Sequence, residues 1–206
     1  GHFCAGGDLQ GIASSGLDNT GWRQRMQALH HWVYDLITLD RPVIAAVDGA
    51  AFGAGFSLAL CADFVLATPR ARFCMSFLRV GLVPDCAAFY TLPRIVGVQR
   101  AREIMLSARE VLAPEALQLG IAMELHPAAH LLPRAHALAA SFVQASPAAV
   151  SLIKRTLAAP GHDLATLLDM EASAQALAAG TQDHREAVQR FLNKEPARFQ
   201  WPHLQE

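Results

Sequence analysis

The sequence predicts an α/β fold followed by an all-helical region. Up to about residue 130, short apolar runs alternate with segments of helical periodicity. Beyond Leu131, alanine and leucine dominate and strand signals vanish. We place the boundary near residues 126–130, and we therefore expect an α/β core over residues 1–130 and a helical region over residues 131–206. The second region is interrupted at Pro147, Pro160 and Gly180.

An amphipathic helix is predicted after a first glycine-rich loop, which spans residues 1–16. Its apolar residues recur at the three- and four-residue spacing of one helix face. They are Trp22, Met26, Leu29, Val33 and Leu36. Asp18, Asn19 or Thr20 can cap its N-terminus. Arg41-Pro42 ends it, because the residue before a proline disfavours helical geometry.

The next elements are short and mostly apolar. Val43 to Val47 has a β-branched residue at each end and predicts a buried strand. Residues 49–55 form a small, glycine-rich turn. The next predicted elements are a helix over residues 56–62 and strands over 63–67 and 72–75. Pro84 and Asp85 precede a predicted helix that runs to residue 95, and further helices are predicted over 99–107 and 114–119, followed by a strand over 121–125.

The composition bears on partners and location. The formal net charge is −1 and no block of Lys or Arg stands out, so we expect neither nucleic acid nor a membrane surface as a partner. Hydrophobic residues make up 52% of the chain, so part of its surface is expected to meet other subunits. The four cysteines lack CxxC spacing, which indicates reduced thiols in a cytoplasmic protein. No signal peptide and no apolar run of about 20 residues is visible.

Two glycine-rich turns lack bulky side chains where a backbone could approach a ligand closely. They span residues 3–9 and 48–56. The second follows a predicted strand and precedes a helix, so its amides would lie at a helix N-terminus, which favours negative charge. Neither turn fits a dinucleotide fingerprint or a phosphate loop. Taken singly, such a turn more often reflects tight packing than ligand binding.

Together with the segments around them, the two turns carry a family resemblance. The segments are Phe3-Cys4-Ala5-Gly6-Gly7-Asp8-Leu9, Arg41-Pro42-Val43 through Cys61-Ala62-Asp63, Gly81-Leu82-Val83-Pro84-Asp85, Leu92-Pro93-Arg94-Ile95-Val96-Gly97 and Thr181-Gln182-Asp183-His184-Arg185. They cover nearly the whole chain, and the ordered set resembles the enoyl-CoA hydratase/isomerase (crotonase) superfamily.

The resemblance implies a spiral of ββα units with a C-terminal helical oligomerisation region, assembled as a homotrimer or hexamer. It also implies an acyl-CoA thioester as the substrate, with coenzyme A part of that substrate and no separate cofactor. In the family pattern the first strands and helix precede the position of Gly1, so we expect an N-terminally truncated member.

The resemblance also assigns binding residues. One backbone N–H in each turn, at Gly7 and at Ala54, would donate to the thioester oxygen. Ala54 stands where the family often has glycine, but its N–H remains available. Neighbouring positions in the turns would bind the substrate, and Lys194 would contact coenzyme A. These neighbouring positions are Cys4, Ala5, Asp8, Leu9, Gly53 and Gly55.

The acid/base groups depart from the family's hydratases, which use two glutamates. Ser57 and Phe77 stand at those two positions, and neither is a competent acid/base group there. Asp85 occupies a position at which some isomerases of the superfamily carry a single proton-shuttling aspartate. We therefore favour double-bond isomerisation, with Asp85 as the acid/base and Phe77 beside the substrate. A capping role for Asp85 at the following helix is an alternative.

Two other functions remain open. In a hydrolase or dehalogenase, Asp85 would attack the substrate as a nucleophile and His30 would assist. Phe77 counts against this reading, because the dehalogenases have a hydrogen-bonding tryptophan at that position. The third possibility is a non-catalytic acyl-CoA binder. No histidine arrangement, including His126 and His130, indicates a metal site.

Overall fold

The computed structural model describes residues 1–159, 161 and 163–203. These residues form two compact units. The first comprises Gly1–Ile37 and Val43–Ala135, and the second comprises Thr38–Pro42 and the described part of His136–Glu206. Pro160, predicted to interrupt a helix, lies outside the described residues.

The described residues form six strands and ten α-helices. The strands are β1 Ile44–Val47, β2 Ala50–Phe52, β3 Phe64–Ala67, β4 Arg72–Cys74, β5 Glu110–Leu112 and β6 Glu124–Leu125. The helices are α1 Leu9–Ser14, α2 Asn19–Ile37, α3 Ala54–Leu60, α4 Ala88–Val96, α5 Val98–Ser107, α6 Ala113–Gln118, α7 Ala128–Ser141, α8 Pro147–Ala158, α9 Leu164–Ala179 and α10 Gln182–Leu192. Two short 3₁₀ helices span Ser76–Val80 and Phe142–Gln144.

The strands of the first unit form two three-stranded sheets. In one sheet β3 lies between β1 and β6, and both neighbours run parallel to it. In the other sheet β4 pairs in parallel with β2 and antiparallel with β5. The short apolar runs predicted as strands over residues 43–47, 63–67 and 72–75 are thus confirmed in slightly shortened form.

Three predictions about local structure were wrong. Ala50–Phe52, assigned to a turn, is a strand, because it finds parallel partners in β4. Most of residues 121–125 is not a strand, because the N–H groups of Ile121 and Ala122 donate to the carbonyl of Ala116 in a turn. Within the loop predicted for residues 1–16, the segment Leu9–Ser14 is a helix that Asp8 caps.

The core of the first unit forms where both sheets and α3 to α6 meet. Phe56 of α3 and Phe73 of β4 have no exposed surface, and their rings are tilted with centroids 5.2 Å apart. Their burial fixes α3 against the second sheet, because each aromatic side chain contributes a large apolar area to the core. The helix that carries Ala54 therefore has a rigid support.

The second unit is helical, with the segment 38–42 bound to α8. Ser151 Oγ donates to Asp40 Oδ1 over 2.6 Å, and Lys154 Nζ donates to the carbonyl of Arg41 over 2.8 Å. Pro147 occupies the first turn of α8, where its missing N–H costs no hydrogen bond.

Among the described residues no single helix is both long and apolar enough to cross a bilayer. One bent pair, Ala128–Gln144 with Pro147–Ala158, meets that criterion by length and composition.

A buried ion pair between Glu124 and Arg134 joins β6 to α7, and we expect its loss to reduce stability strongly. Arg134 donates from Nε and Nη2 to the two carboxylate oxygens of Glu124, each over 2.8 Å, and the side chains are only 9% and 12% exposed. His126 Nε2 lies 2.7 Å from the same carboxylate. Glu124→Gln leaves the guanidinium without its charged partner, so the free energy of unfolding should fall by about 3 kcal/mol.

The pH dependence of this loss has a defined sign. The hydrogen bond from Arg134 is the largest cause that holds the pKa of Glu124 below its ordinary value of 4.5. Its contribution to stability is therefore full above pH 4.5 and is lost as the pH falls below that value. Urea unfolding of the variant and wild type should converge under acid conditions, and the exposed Glu171→Gln should match wild type throughout. A gap that persists in acid would contradict this account.

Candidate active site

The two glycine-rich turns lie side by side in the first unit. The N–H of Cys4 donates to the carbonyl of Ala50 over 3.0 Å, and the N–H of Phe52 donates to the carbonyl of Cys4 over 2.9 Å. Cys4 thus forms an isolated parallel bridge with Ala51, beside β2. The first turn is an additional extended segment next to the sheet that leads into the second turn.

Glycines make this close approach possible. A Cβ at Gly55 would lie 2.3 Å from the carbonyl oxygen of Cys4, a distance at which no side chain fits. A Cβ at Gly6, whose φ is +102°, would lie 2.9 Å from the carbonyl oxygen of Phe52 and 3.8 Å from the nitrogen of Ala54. The turn that carries Gly7 therefore directly borders the N-terminus of α3.

Backbone N–H groups at this border are available to a ligand. Phe56 and Ser57 donate their N–H groups to the carbonyl of Gly53, as the first bonds of α3. Within the described residues, the N–H groups of Gly7 and Ala54 have no hydrogen-bond partner in the protein. The two positions that the resemblance assigns to the oxyanion site therefore both keep a free donor.

The other residues assigned to the first turn have different environments. Asp8 accepts a hydrogen bond at Oδ1 from the N–H of Gln10 over 3.0 Å, so its carboxylate caps α1. Leu9 is 54% exposed, Ala5 is exposed and Cys4 is partly buried. Leu9 and Ala5 remain accessible to a ligand at the mouth of the turn.

Asp85 lies partly buried at the start of the segment that leads into α4. In the described part of the chain, its buried Oδ1 atom has no hydrogen-bond partner. Burial is the largest influence on this carboxyl and raises its pKa above the ordinary value of 3.8, although the Cys86 thiol and the charge of His30 oppose this effect. The carboxyl is therefore a stronger base than an exposed aspartate.

The alternative that Asp85 caps α4 with its side chain was wrong. The capping residue is Ala87, and no side chain bonds to the first N–H groups of the helix. The N–H of Ala88 donates to the backbone carbonyl of Asp85 over 3.0 Å. The carboxylate of Asp85 therefore does not bond to the N-terminus of α4.

Ser57 and Phe77, at the positions of the family's two glutamates, belong to the core. Ser57 has no exposed surface, and its Oγ lies 3.4 Å from the carbonyl oxygen of Gly53 and 3.9 Å from the sulfur of Met75. Phe77 is 7% exposed, and its ring lies 4.0 Å from the position that a Cβ at Gly53 would occupy. Phe77 thus forms an apolar wall beside the second turn, and neither residue supplies a carboxylate.

His30 and Lys194 differ in their relation to this site. His30 is exposed on α2, and its charge acts on Asp85. Lys194 belongs to the second unit, follows the end of α10 and has a φ of +59°. A search of the described residues finds no group of His, Cys, Asp or Glu side chains that could hold a metal ion.

Cys86 was not singled out in the sequence as a site residue. It follows Asp85 directly, is 2% exposed and has a φ of 48°. Nothing in the local sequence indicates this environment, because it depends on an unusual backbone conformation and on packing with Val33 of α2 and Cys61 at the end of α3.

Comparisons with known proteins identify the family. The sequence model of the family described as enoyl-CoA hydratase/isomerase matches residues 1–202. A curated protein of Rhodobacter capsulatus, named "Probable enoyl-CoA hydratase", is 38% identical over 199 residues, which cover 96% of this chain and 76% of that protein. A curated protein of Escherichia coli K12, named "1,2-epoxyphenylacetyl-CoA isomerase", is 35% identical over 203 residues, with coverage of 96% and 76%.

Solved structures give the same result for the fold. The crystal structure of an enoyl-CoA hydratase/isomerase from Cupriavidus metallidurans CH34 is 47% identical and matches with a TM-score of 0.89, covering 96% of this chain and 74% of that one. That of a putative enoyl-CoA hydratase from Streptomyces coelicolor A3(2) is 35% identical with a TM-score of 0.90, covering 98% and 74%. The predicted α/β crotonase fold with a C-terminal helical region is confirmed, and this chain is an acyl-CoA enzyme that belongs to the enoyl-CoA hydratase/isomerase family.

Proposed function

We propose that this protein moves a double bond within the acyl chain of a CoA thioester, with Asp85 as the single group that carries the proton. One observation carries the proposal: Asp85 Oδ1 is buried and has no hydrogen-bond partner among the described residues. An unpartnered buried acceptor costs stability, on the order of 1–3 kcal/mol. Such an oxygen fits a group that is completed only by substrate, and Ala54 packs against the cluster that contains Cys86, the residue after Asp85.

The proposed chemistry needs one base and one oxyanion site. Asp85 takes a proton from a carbon next to the double bond or the carbonyl, and the electron pair of that C–H bond enters a conjugated dienolate. The negative charge then rests on the thioester oxygen, to which the N–H groups of Gly7 and Ala54 donate. Asp85 returns the proton to the other end of the dienolate, so the double bond has moved and the thioester is restored.

The burial of Asp85 suits this task. A general base works best when its pKa approaches the pH at which it operates, and burial moves the pKa of Asp85 upward. The apolar wall formed by Phe77 excludes water next to the second turn. Exclusion of water strengthens hydrogen bonds to a developing oxyanion.

The names of relatives point to both hydration and isomerisation. The Rhodobacter relative is called a probable hydratase, and the Escherichia coli relative is called an isomerase of a CoA ester. We favour isomerisation because Ser57 and Phe77 replace both glutamates of the hydratase pattern. The isomerase relative also leads us to include aryl-CoA and epoxide-bearing CoA esters among the substrates to be tested.

The experiment that tests this proposal follows the vinyl protons of the substrate by ¹H NMR. The protein is incubated with cis- and trans-3-enoyl, trans-2-enoyl, aryl- and epoxyaryl-CoA esters. Double-bond migration in a 3-enoyl ester, without formation of the 3-hydroxyacyl ester, is the expected result. Rapid hydration of the trans-2-enoyl ester would refute the assignment. Binding of all esters without turnover would favour a non-catalytic acyl-CoA binder.

A hydrolase or dehalogenase is the second candidate, because His30 is close enough to Asp85 to lower the pKa of its carboxyl. In that reaction an oxygen of Asp85 bonds to the acyl or aryl carbon and displaces the leaving group. Water activated by His30 then releases the product. Mass spectrometry of enzyme quenched during turnover of an aryl-CoA ester tests this alternative. A covalent adduct on Asp85 would favour it over isomerisation.

The proposal extends to the assembly, the location and the coenzyme A contact. We propose a homotrimer or hexamer, with α8 and α9 contributing to its interfaces, since Ile153, Leu157 and Leu177 are 60%, 75% and 64% exposed. Lys194 is proposed to contact coenzyme A, and the reaction as written needs no separate cofactor. The four free cysteines fit a cytoplasmic location. Light scattering after gel filtration measures the oligomer, and a monomer would contradict the assembly.

A further inference from the structure

One peptide group carries both the N–H of Ala54 and a buried carbonyl. The carbonyl of Gly53 and the N–H of Ala54 belong to the same planar unit and point in opposite directions. The N–H has no hydrogen-bond partner among the described residues, and its nitrogen lies 3.8 Å from the position that a Cβ at Gly6 would occupy. Any contact that fixes the carbonyl of Gly53 therefore also fixes the direction of the Ala54 N–H beside the first turn.

The backbone at Gly53 leaves this peptide free to rotate. Gly53 has a φ of 53° and a ψ of −124°, a combination that residues with a Cβ avoid. Its own N–H donates to the carbonyl of Cys74 in β4 over 2.8 Å. Rotation about the Cα–C bond of Gly53 would still turn its carbonyl and the Ala54 N–H together. The orientation of this donor thus depends on the contacts that the carbonyl makes.

Three donors of α3 meet the carbonyl oxygen of Gly53. The N–H of Phe56 donates to it over 3.0 Å, and the N–H of Ser57 donates over 3.2 Å. The hydroxyl of Ser57 adds a third, longer hydrogen bond over 3.4 Å. Hydrogen bonds to a carbonyl polarise the peptide and strengthen the N–H at its other end as a donor. The side chain of Ser57 therefore acts on the same peptide group that offers its N–H to a ligand.

Burial directs the Ser57 hydroxyl to this carbonyl. Ser57 has no exposed surface, so bulk water does not compete for its hydroxyl. Among the described residues, the hydroxyl's other partner is the sulfur of Met75 at 3.9 Å, and a thioether is a weak acceptor. A bond from serine to the carbonyl four residues earlier is common in helices. This one differs because its carbonyl shares a peptide group with the Ala54 N–H.

We propose that Ser57 is a positioning residue for the oxyanion site: its hydroxyl fixes the Gly53–Ala54 peptide so that the N–H of Ala54 points at the thioester oxygen. The position that carries a glutamate in the hydratase pattern here serves the oxyanion and not the proton transfer. The inference rests on the proposed role of Gly7 and Ala54 as donors to that oxygen. Ser57 is fully buried and acts only through the peptide.

Two substitutions and a matched control isolate the hydroxyl. Ser57→Ala removes it with a small change in volume and leaves the N–H donors of Phe56 and Ser57 in place. Ser57→Thr restores a hydroxyl that can reach the carbonyl four residues earlier, but it adds a methyl group in a packed position, so melting temperatures are measured alongside. Ser141→Ala is the control, because the Ser141 hydroxyl donates to the carbonyl of Leu138 over 2.7 Å within α7 and has no role in the proposed reaction.

The direct readout is the stretching band of the thioester carbonyl in infrared difference spectra. The probe is acetyl-CoA labelled with ¹³C at its carbonyl carbon, because the smallest acyl group fits a site of any acyl specificity. Hydrogen bonds to the carbonyl oxygen lower the frequency of this band. On the wild-type enzyme the band should lie below that of free acetyl-CoA, and on Ser57→Ala it should move part of the way back and broaden. Ser57→Thr should restore the wild-type band, and Ser141→Ala should leave it in place.

Steady-state kinetics give a second measure. For double-bond migration, kcat of Ser57→Ala should fall by about twofold to tenfold, the range of one hydrogen bond. The change in KM should be smaller, because the donor matters most once charge has developed on the oxygen. The pH profile of kcat/KM should keep its shape, since the hydroxyl does not act on Asp85.

The outcomes separate this inference from the proposed function. If Ser57→Ala keeps the wild-type band and kcat while Asp85→Asn is inactive, the role of Ser57 is refuted and that of Asp85 stands. If kcat and the melting temperature fall together but the band stays in place, the hydroxyl supports only the fold and the inference fails. A wild-type band at the frequency of free acetyl-CoA would refute both the oxyanion site and the role of Ser57. Normal turnover by Asp85→Asn would refute the proton carrier alone, because the band does not depend on Asp85.

Discussion

Asp85→Asn is expected to reduce double-bond migration by at least about 100-fold, the low end of what a positioned acid/base contributes. Asparagine has nearly the same shape but cannot accept and return a proton. The oxyanion donors are backbone groups of Gly7 and Ala54, which the substitution does not touch. Affinity for a CoA ester should therefore survive. Initial rates by ¹H NMR and calorimetric titration with a non-isomerisable acyl-CoA measure the two properties separately.

A matched control is available in the second unit. Asp169 is exposed on α9, so Asp169→Asn makes the same chemical change at a residue that has no role in the proposed reaction. It should retain the wild-type rate. If Asp85→Asn also retained that rate, a proton carrier elsewhere in the enzyme would have to be found.

The same variant should be more stable than wild type at neutral pH. Burial raises the pKa of Asp85 in the folded protein, so ionisation above that pKa disfavours the folded state. Asparagine carries no charge and removes this penalty, so the free energy of unfolding should rise. The penalty is absent below pH 3.8, where the carboxyl is protonated in both states, so the gain should vanish there. Thermal unfolding at the two pH values checks the sign.

Gly55→Ala is expected to disable the site by separating the two glycine-rich turns. Its methyl group would lie 2.3 Å from the carbonyl oxygen of Cys4 and 2.7 Å from its Cβ, so the two turns must separate. Overpacking of this kind costs about 1–3 kcal/mol of stability. A displacement of about 1 Å between reacting groups can cost about 100-fold in rate, so kcat should fall by that order.

Gly180→Ala makes the same change where space exists. Gly180 has a φ of −75°, and a Cβ there would meet only carbonyl oxygens at 3.5 and 3.6 Å. We expect wild-type activity and melting temperature. A Gly55→Ala enzyme with full activity would mean that the contact between the turns does not set the position of the oxyanion donors.

The fold could be predicted from the sequence where the signal is local. The strands over residues 44–47 and 64–67 were predicted because apolar, β-branched residues mark them directly. Ala50–Phe52 and Glu110–Leu112 were missed because little in their own residues marks them as strands. Both become strands by pairing with Arg72–Cys74, a partner distant in the chain. Pairing of that kind is a tertiary property.

In the candidate site, too, some features could be predicted from the sequence and others could not. The sequence pattern indicated Gly7, Ala54 and Asp85, and it also indicated the loss of the hydratase glutamates at Ser57 and Phe77. It left a capping role for Asp85 open, because any aspartate before a helix can serve as a cap. Only the position of Ala87 as the capping residue excluded that role.

The sequence by itself determined the family, most of the elements and the chemical identity of the groups offered to a substrate. Tertiary structure decided which of those groups are free to act. The unpartnered oxygen of Asp85, the contact at Gly55 and the burial of Cys86 all depend on segments that the chain brings together from distant positions. Burial and hydrogen-bond partners are properties of an atom's surroundings, and the surroundings of these atoms are supplied by residues far away in sequence.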